Sequence, residues 1–402
     1  MAIVYKTRKI EMKRLLIFFI LFTAFNAFSQ EEIMPSAPQG YIQTGSSLQM
    51  WRQKIVIEKP IMQVTFPVHM VIPVNSYFNL NFDYAYAHSD WKPPSGTEGI
   101  SKKEISLGGF SDPYLQANML LWDNRLLILG GIGAPLGKTE LNYEEFYLLK
   151  YVSSNAFRFR TPVYGQGTHG KLGVMLAYPV ADNVVLGTGT SFLYRGRYVP
   201  VKSANWKIEG NLVDGDYDPG DEINVHLGLD WGLNDDMKLM MDGILTYYQK
   251  DKYDDLDEVF QSGMKMTVNL GYFYRYRDHY LWALLNYRSK MNNYELQGKV
   301  FQEEAYNTNS PQWDMNILWK AFHMEGGGVH VLFDGRFYER NEVGVAWVQI
   351  IGGGFGVEYR LSYTTIIDFY VKYFGGKRIS DKNVGKVRIE GMDVAVSFRY
   401  EF

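Results

Sequence analysis

The 402-residue chain has no cysteine. That removes a disulfide framework, a thiolate metal site, a cysteine nucleophile and an acylated lipid anchor. Beyond residue 30 it also lacks any apolar run approaching the roughly 20 residues of a membrane-crossing helix. Histidine is scarce: His69, His88, His169, His226, His279, His323 and His330 are the full set. None pairs with another at the short spacing of metal ligands. The G-x-S-x-G elbow of serine hydrolases and the H-E-x-x-H of zinc proteases are missing too. These absences assign no catalytic residue, no cofactor and no metal site, and they describe a non-enzyme. Basic charge is also short. The formal net charge is -3, and residues 1–29 hold Lys6, Arg8, Lys9, Lys13 and Arg14 against Glu11, a surplus of four, which leaves -7 for the remainder. Nothing basic enough to track nucleic acid is left.

Aromatic residues are plentiful. There are 30 Tyr, 24 Phe and 9 Trp beside 39 Gly, yet the mean hydropathy is negative. Aromatics interleaved with polar residues suit a wall with lipid on one side and water on the other. The N-terminus supplies a route to such a place. Met12-Lys13-Arg14 opens a positive segment, Leu15 to Phe25 is an apolar stretch of 11 residues, and Ala27 and Ser29 are the small residues before a cut ahead of Gln30. This is the anatomy of a signal peptide over residues 1–29, with Met12 as the true start. An exported membrane protein without spanning helices must be a closed barrel, because open sheet edges go unsatisfied in lipid.

Period-two alternation recurs along the mature chain. Phe78, Leu80, Phe82, Tyr84 and Tyr86 oppose Asn79, Asn81, Asp83, Ala85 and Ala87. The same pattern runs through 223–231, 264–276, 329–337 and 394–402. One face is apolar and ends in aromatics; the other is small and polar, with Asp83, Asp230, Arg275, Asp334, Arg336 and Arg399 facing a lumen. Soluble strands average about 5–6 residues, whereas spanning strands need about 9–11. Short links at 73–75, 122–124, 179–183, 232–236, 275–278, 322–326 and 361–363 alternate with longer ones at 89–104, 135–169, 196–220, 249–259, 291–310 and 375–388, apart from a brief link at 341–345. Short periplasmic turns and long outer loops are the barrel rule. The expected fold is therefore all-β, a transmembrane antiparallel up-and-down barrel of 14–16 strands over residues 61–402. Residues 30–60 are left as a plug or a weak first strand, since Arg52, Gln53 and Lys54 break the alternation of 45–58. The last strand ends on Phe402 and reads as the signature presented to the barrel-insertion machinery.

Specific residues then carry a resemblance. Gly108-Gly109-Phe110-Ser111-Asp112-Pro113 is followed by Leu129-Gly130-Gly131-Ile132-Gly133-Ala134-Pro135-Leu136-Gly137-Lys138. This resembles the "G-x-G-D … P-x-G-K" hairpin of outer-membrane proteins encoded with phenol and aromatic degradation pathways. Tyr194-Arg195-Gly196-Arg197-Tyr198 is similar to that family's "Y-x-G-x-Y". Asp218-Pro219-Gly220-Asp221-Glu222, leading into His226-Leu227-Gly228-Leu229, resembles a strand shared with FadL-like hydrophobic-compound transporters. The likeness covers residues 61–250. Pro113 departs from the pattern, and nothing in residues 30–60 matches the FadL hatch. The resemblance implies a monomeric barrel of about fourteen strands, plugged near the N-terminus, that passes small hydrophobic ligands. Apolar loop surface would catch the ligand and kinked strands would release it. Gly326-Gly327-Gly328 and Gly352-Gly353-Gly354 are the candidate kinks, against simple packing.

Two features remain. Asp214, Asp216, Asp218 and Asp221 form one acidic cluster, and Asp251, Asp254, Asp255, Asp257 and Glu258 another. They read as Ca²⁺ ligands or as solvated loop, and neither completes an EF-hand. The 135–169 link carries Tyr143, Phe146, Tyr147, Tyr151, Phe157 and Phe159. So much apolar surface in a wet loop is costly unless it caps the mouth or captures ligand. The expected function is uptake of small hydrophobic compounds across the outer membrane, in contact with lipid and lipopolysaccharide; the alternatives are an adhesive or structural barrel and, last, an outer-membrane enzyme.

Overall fold

The computed structural model describes residues 40–402 apart from 55–58, 95–102, 161–164, 201–206, 209–210, 213–214, 255, 298–299, 325 and 380–384. The signal peptide of the sequence reading lies outside these residues. The wall runs in chain order through β1 (Tyr41–Gln53), β2 (Ile61–Asn75), β3 (Phe78–Trp91), β4 in two halves (Ile105–Phe110 and Tyr114–Leu121), β5 (Leu126–Gly133), β6 (His169–Ala181), β7 (Val184–Arg195) and β8 (Glu222–Asn234). It continues through β9 (Met237–Tyr248), β10 (Lys265–Tyr276), β11 (His279–Lys290), β12 (Gln312–Met324), β13 (Gly327–Tyr338), β14 (Trp347–Ser362), β15 (Thr365–Ile379) and β16 (Lys386–Glu401). Each strand pairs antiparallel with the next. β1 also pairs with β16, from Tyr41 opposite Glu401 to Gln53 opposite Ile389, and the Phe402 amide donates to the Gly40 carbonyl at 2.8 Å. The barrel is closed with sixteen strands, so neither the first nor the last strand leaves an open edge.

Both halves of β4 lie against β3, the first on Tyr86–Trp91 and the second on Phe78–Asp83. They are one strand interrupted at Ser111-Asp112-Pro113. The upper half pairs only with β3, because β5 stops at Gly133. Turns of two to four residues join the strands at the end that holds both described termini. Register shifts gather beside them, at Pro73/Asn75, Pro179/Ala181, Gly232/Asn234, Lys320/Phe322 and Arg360/Ser362. Bulges at a barrel rim bend and end the pairing there. The hairpin after β15 is shorter than the 375–388 link expected from sequence, because Gly375 and Gly376 continue the strand.

The alternation divides the wall. Leu172, Leu227, Phe355 and Tyr373 are among the residues exposed on the outer face, with Trp122, Tyr178, Tyr276 and Phe322 toward the turns. This is the apolar band with aromatic girdles of a membrane barrel. The glycine runs do not kink it. Register is unbroken from Trp347 to Arg360. A Cβ at Gly352 would lie 2.3 Å from the Phe374 ring and one at Gly354 2.0 Å from the Val371 carbonyl, so both are packing positions.

Candidate functional site

The described residues of the link from 134 to 168 fold into the mouth. Its neck is held by one carboxylate. Asp112, in the gap of β4, accepts the amides of Gly137 and Gln166, each at 2.7 Å, and the Gly165 amide donates to the Lys138 carbonyl at 2.6 Å. The two limbs cross so closely that a Cβ on Gly137 would meet the Gly165 Cα at 2.6 Å. The "D … P-x-G-K" residues noticed in the sequence therefore form a clasp. Lys138 completes it with an ion pair to Glu145 at 2.6 Å.

Inside the clasp is α1 (Tyr143–Val152). Asn142 caps it by accepting the Glu145 amide at 2.9 Å, and Glu145 accepts the Asn142 amide at 3.1 Å. This reciprocal box satisfies two orphan donors, and Glu144 and Glu145 suit the helix dipole. The helix lies along the upper half of β4 and covers that unpaired edge. Leu148 and Val152 are buried against Trp91, Ile105 and Leu107. Tyr147 stacks on Trp91 at 5.7 Å, and Tyr151 lies 5.3 Å from the same ring. Burial, with Tyr147 beside it, holds the Tyr151 hydroxyl well above the usual phenol range. Phe146 is 37% exposed and Tyr143 half-buried.

After the helix the chain descends. Phe157 is fully buried, 5.5 Å from Trp51, with the Arg378 guanidinium 5.3 Å over its ring. Phe159 packs edge-on at 6.3 Å. Burying a side chain such as Phe157 stabilises by about 1.5–3 kcal/mol. Main-chain groups are met by the wall. Tyr338 donates to the Asn155 carbonyl at 2.9 Å, Arg336 to the Ala156 carbonyl at 2.7 Å and Gln49 to the Arg158 carbonyl at 3.2 Å, while Gln49 accepts the Arg160 amide at 2.9 Å. Arg158 sits at φ 49°, in the left-handed region. That conformation costs about 1–2 kcal/mol in a non-glycine residue, and it aims the side chain at the wall.

Below lies a layer of charge. Asp314, at 1% side-chain exposure, pairs with both Arg158 and Arg288. Asp393 takes Arg160 at 3.1 Å and the Tyr370 hydroxyl at 3.2 Å. Asp334 takes Arg336 at 2.9 Å, and Lys372 stands 3.9 Å from Asp334 and 4.0 Å from Asp393. Burial pushes the Arg158 guanidinium down, but Asp314, Tyr338 and Asp334 together outweigh it, so the charge is held above the ordinary arginine range. Of the six polar residues assigned to the lumen from sequence, Asp334 and Arg336 are in this layer. Asp83 bonds His69 at 2.6 Å, and His69 reaches Tyr41 at 3.1 Å. Arg399 lies 4.3 Å over the Tyr41 ring, Asp230 pairs with Lys238 at 2.6 Å, and Arg275 with Asp236 at 3.6 Å. Those four sit toward the turn end. The sequence reading missed Asp314, Asp393, Arg158 and Arg160. The first two were detectable, each being the polar member between apolar neighbours in an alternating run.

The opposite side of the lumen is open. A cavity of about 500 Å³ lies on the inner wall of β4–β10. Gly187 and Gly228 face each other across its floor, 3.8 Å from the Cβ position of one to the Cα of the other. Leu120, Leu127, Met175 and Ile244 supply apolar sides, and His226, Asp242 and Asn269 polar ones. Higher on this wall the Ser191 hydroxyl meets His226 at 3.3 Å. No carboxylate is hydrogen-bonded to that histidine among the described residues.

The acidic outer loops spend their carboxylates on turns. Asp251 accepts the Tyr217 hydroxyl and the Gly220 amide, Asp254 the Asp216 amide at 2.8 Å, and Asp221 the Arg195 amide at 3.0 Å. Among the described residues no three or more potential ligands group around one point; Asp214 and Asp255 lie outside them.

No family model and no curated protein matches the sequence. Solved structures with a similar outline are distant. The TodX deltaS2S3 mutant monoaromatic hydrocarbon channel is 11% identical over 92% of this chain and 91% of its own, with a TM-score of 0.45. An outer membrane channel from Pseudomonas putida F1 is 7% identical over 94% and 100%, at 0.39. A mutant Rh. blastica porin is 12% identical over 90% and 99%, at 0.37. The barrel rests on its own strand register rather than on these likenesses.

Proposed function

We propose that the protein is an outer-membrane channel that admits small hydrophobic compounds past a fixed plug. The observation that carries this reading is the division of the lumen. One side is filled by the 134–168 segment, and the other keeps a cavity with apolar sides and a glycine floor. In this reading Tyr143 and Phe146, on the accessible side of α1, catch the ligand. Tyr147, Tyr151, Phe157 and Phe159 fix the plug. The apolar outer band, with the signal-peptide pattern of residues 1–29 in the sequence, supports the outer membrane as its place. The test uses cells that produce the full chain. The reading expects it in the outer-membrane pellet and expects faster uptake of the apolar dye N-phenyl-1-naphthylamine than in cells lacking it. Equal uptake at equal abundance rejects the channel.

A second reading has one supporting observation. Met291, Val300 and Tyr306 are 58%, 60% and 65% exposed on the outer loops. A surface-contact barrel would use them, and would then bind its partner undiminished after the lumen is blocked by bulky residues.

A further inference from the structure

Lys265 opens β10 and Lys290 ends β11, and the two stand directly opposite one another. Met264 and Met266, on either side of Lys265, are exposed on the outer face, so the lysines face the lumen. Both ammonium groups lie 5.7 Å from the centroid of one ring, Tyr248. Lys290 also donates to the Ser262 hydroxyl at 3.0 Å. Like charges facing each other on one side of a sheet repel. Among the described residues neither lysine has a carboxylate within ion-pair reach. The two acids whose fields reach Lys290 are Glu304 and Asp251. Glu304 is taken by the amides of Asn293 and Thr308, and Asp251 by Tyr217 and Gly220.

The next inward pair down the same two strands is Thr267 and Arg288, with Arg288 committed to Asp314. Below them Asn269 bonds Asn286 and lines the cavity. Asn269 is four positions along the strand from Lys265, which at about 3.3 Å per residue sets the lysines about 13 Å along the wall from the cavity. On the cavity wall Asp242 has no ion-pair partner among the described residues. An anion in this half of the lumen is thus attracted at the top and repelled at the bottom.

We propose that Lys265 and Lys290 bind the acid group of a small organic carboxylate, whose apolar body extends down the wall toward the cavity. This rests on the uptake reading and narrows its substrate to amphipathic acids. Two ammonium donors meet one carboxylate with charge-assisted hydrogen bonds, and the Tyr248 ring offers a flat apolar face beside them. Site and charge are partly open to water, so salt weakens the binding.

Benzoate and benzyl alcohol, which share a ring and differ in charge, are the probes. Binding to the purified full chain is measured by calorimetry, and permeation by proteoliposome swelling. Benzoate is expected to bind at least tenfold more tightly than benzyl alcohol, and less tightly as KCl is raised. Lys265→Gln with Lys290→Gln is expected to weaken benzoate at least tenfold and to leave benzyl alcohol within twofold. Lys265→Arg with Lys290→Arg is expected to keep the benzoate affinity. If the glutamine pair does not insert, judged by heat-dependent gel mobility, Lys290→Gln alone is expected to cost benzoate at least threefold. Equal affinity for the two probes, equal loss of both, or unchanged benzoate binding in the glutamine variants overturns the proposal. Lysine-dependent benzoate binding without permeation of either probe upholds the acid site and sinks uptake. Permeation of both probes with no lysine-dependent preference sinks the acid site alone.

Discussion

Along β1 and β14–β16 the inward positions carry Trp51, Ile350, Phe374 and Ile389, all buried. Along β6–β8 the equivalent positions carry Gly173, Gly187, Gly189 and Gly228. The two walls share one alternation and one hydrogen-bond pattern, and the volume of the inward residue separates them. Where it is large and apolar, Phe157 and α1 find a surface to bury against, and the loop docks. Where it is hydrogen, as at Gly187 and Gly228, no side chain reaches inward and a cavity remains, whereas Gly173 and Gly189 are closed over by Leu129 and Met175. A folded loop thus chooses its side of a barrel by the same burial that builds a soluble core. The charged layer then locks the choice, because Arg158 and Arg160 reach Asp314 and Asp393 only from that side.

The most severe way to break the contrast is to replace residues 140–160 with a glycine–serine linker. Single-channel conductance is expected to rise severalfold; an unchanged value would mean that the open half alone sets it. Next is Asp314→Asn, which leaves Arg158 and Arg288 without their shared carboxylate. Breaking a buried pair costs about 3–5 kcal/mol, and the partial exposure of both arginines places this near 3 kcal/mol. The measurement is a lowered urea midpoint for the heat-modifiable band, with noisier conductance. Gly137→Ala drives a methyl into the Gly165 backbone at the neck, and overpacking of that kind costs about 1–3 kcal/mol. It should loosen the plug without touching the wall, visible as faster proteolysis within 139–160 only. A smaller effect is expected from Gly187→Leu, which fills the cavity on the other side. Dye uptake should fall about twofold while the urea midpoint holds, since strand glycine is itself unfavourable. The smallest concerns Glu304, in the outer loop above the open half. Burial raises its carboxyl, but the Asn293 and Thr308 bonds hold it below the ordinary 4.5. A depressed acid stabilises fully above its unfolded value, and the contribution is lost as pH falls through the folded one. Amide exchange at Asn293 and Thr308 should therefore quicken only well below pH 4.5, with no change in the plug.

Much of the wall was legible because lipid and water impose a period of two. The number and alternation of the short turns follow from that pattern, although residues 73–75 belong to β2 and the first turn falls at 76–77. β1 was hard to see because Arg52, Gln53 and Lys54 interrupt the alternation at its end. The break in β4 was not foreseen, since the links at 89–104 and 122–124 leave 105–121 as one continuous strand and nothing local marks Ser111-Asp112-Pro113 as an interruption. The apolar 135–169 segment announced that it must be buried, but not on which side. Its partners Asp314 and Asp393 are more than 150 residues away, and pairing at that range is a property of closure, not of local sequence. The lysine pair was half visible: Lys265 falls on the polar face of its run, but only the register of β10 against β11 puts Lys290 opposite it.

The clasp at Asp112 has a consequence for the barrel as material. A segment whose two ends are pinned by one carboxylate and two crossing glycines is a cartridge in a holder. The described residues between Lys138 and Gly165 take no part in the wall's strand pairing. A designer could swap that stretch for another of similar span and obtain pores of different bore on one frame, provided Asp112, Gly137 and Gly165 are left alone.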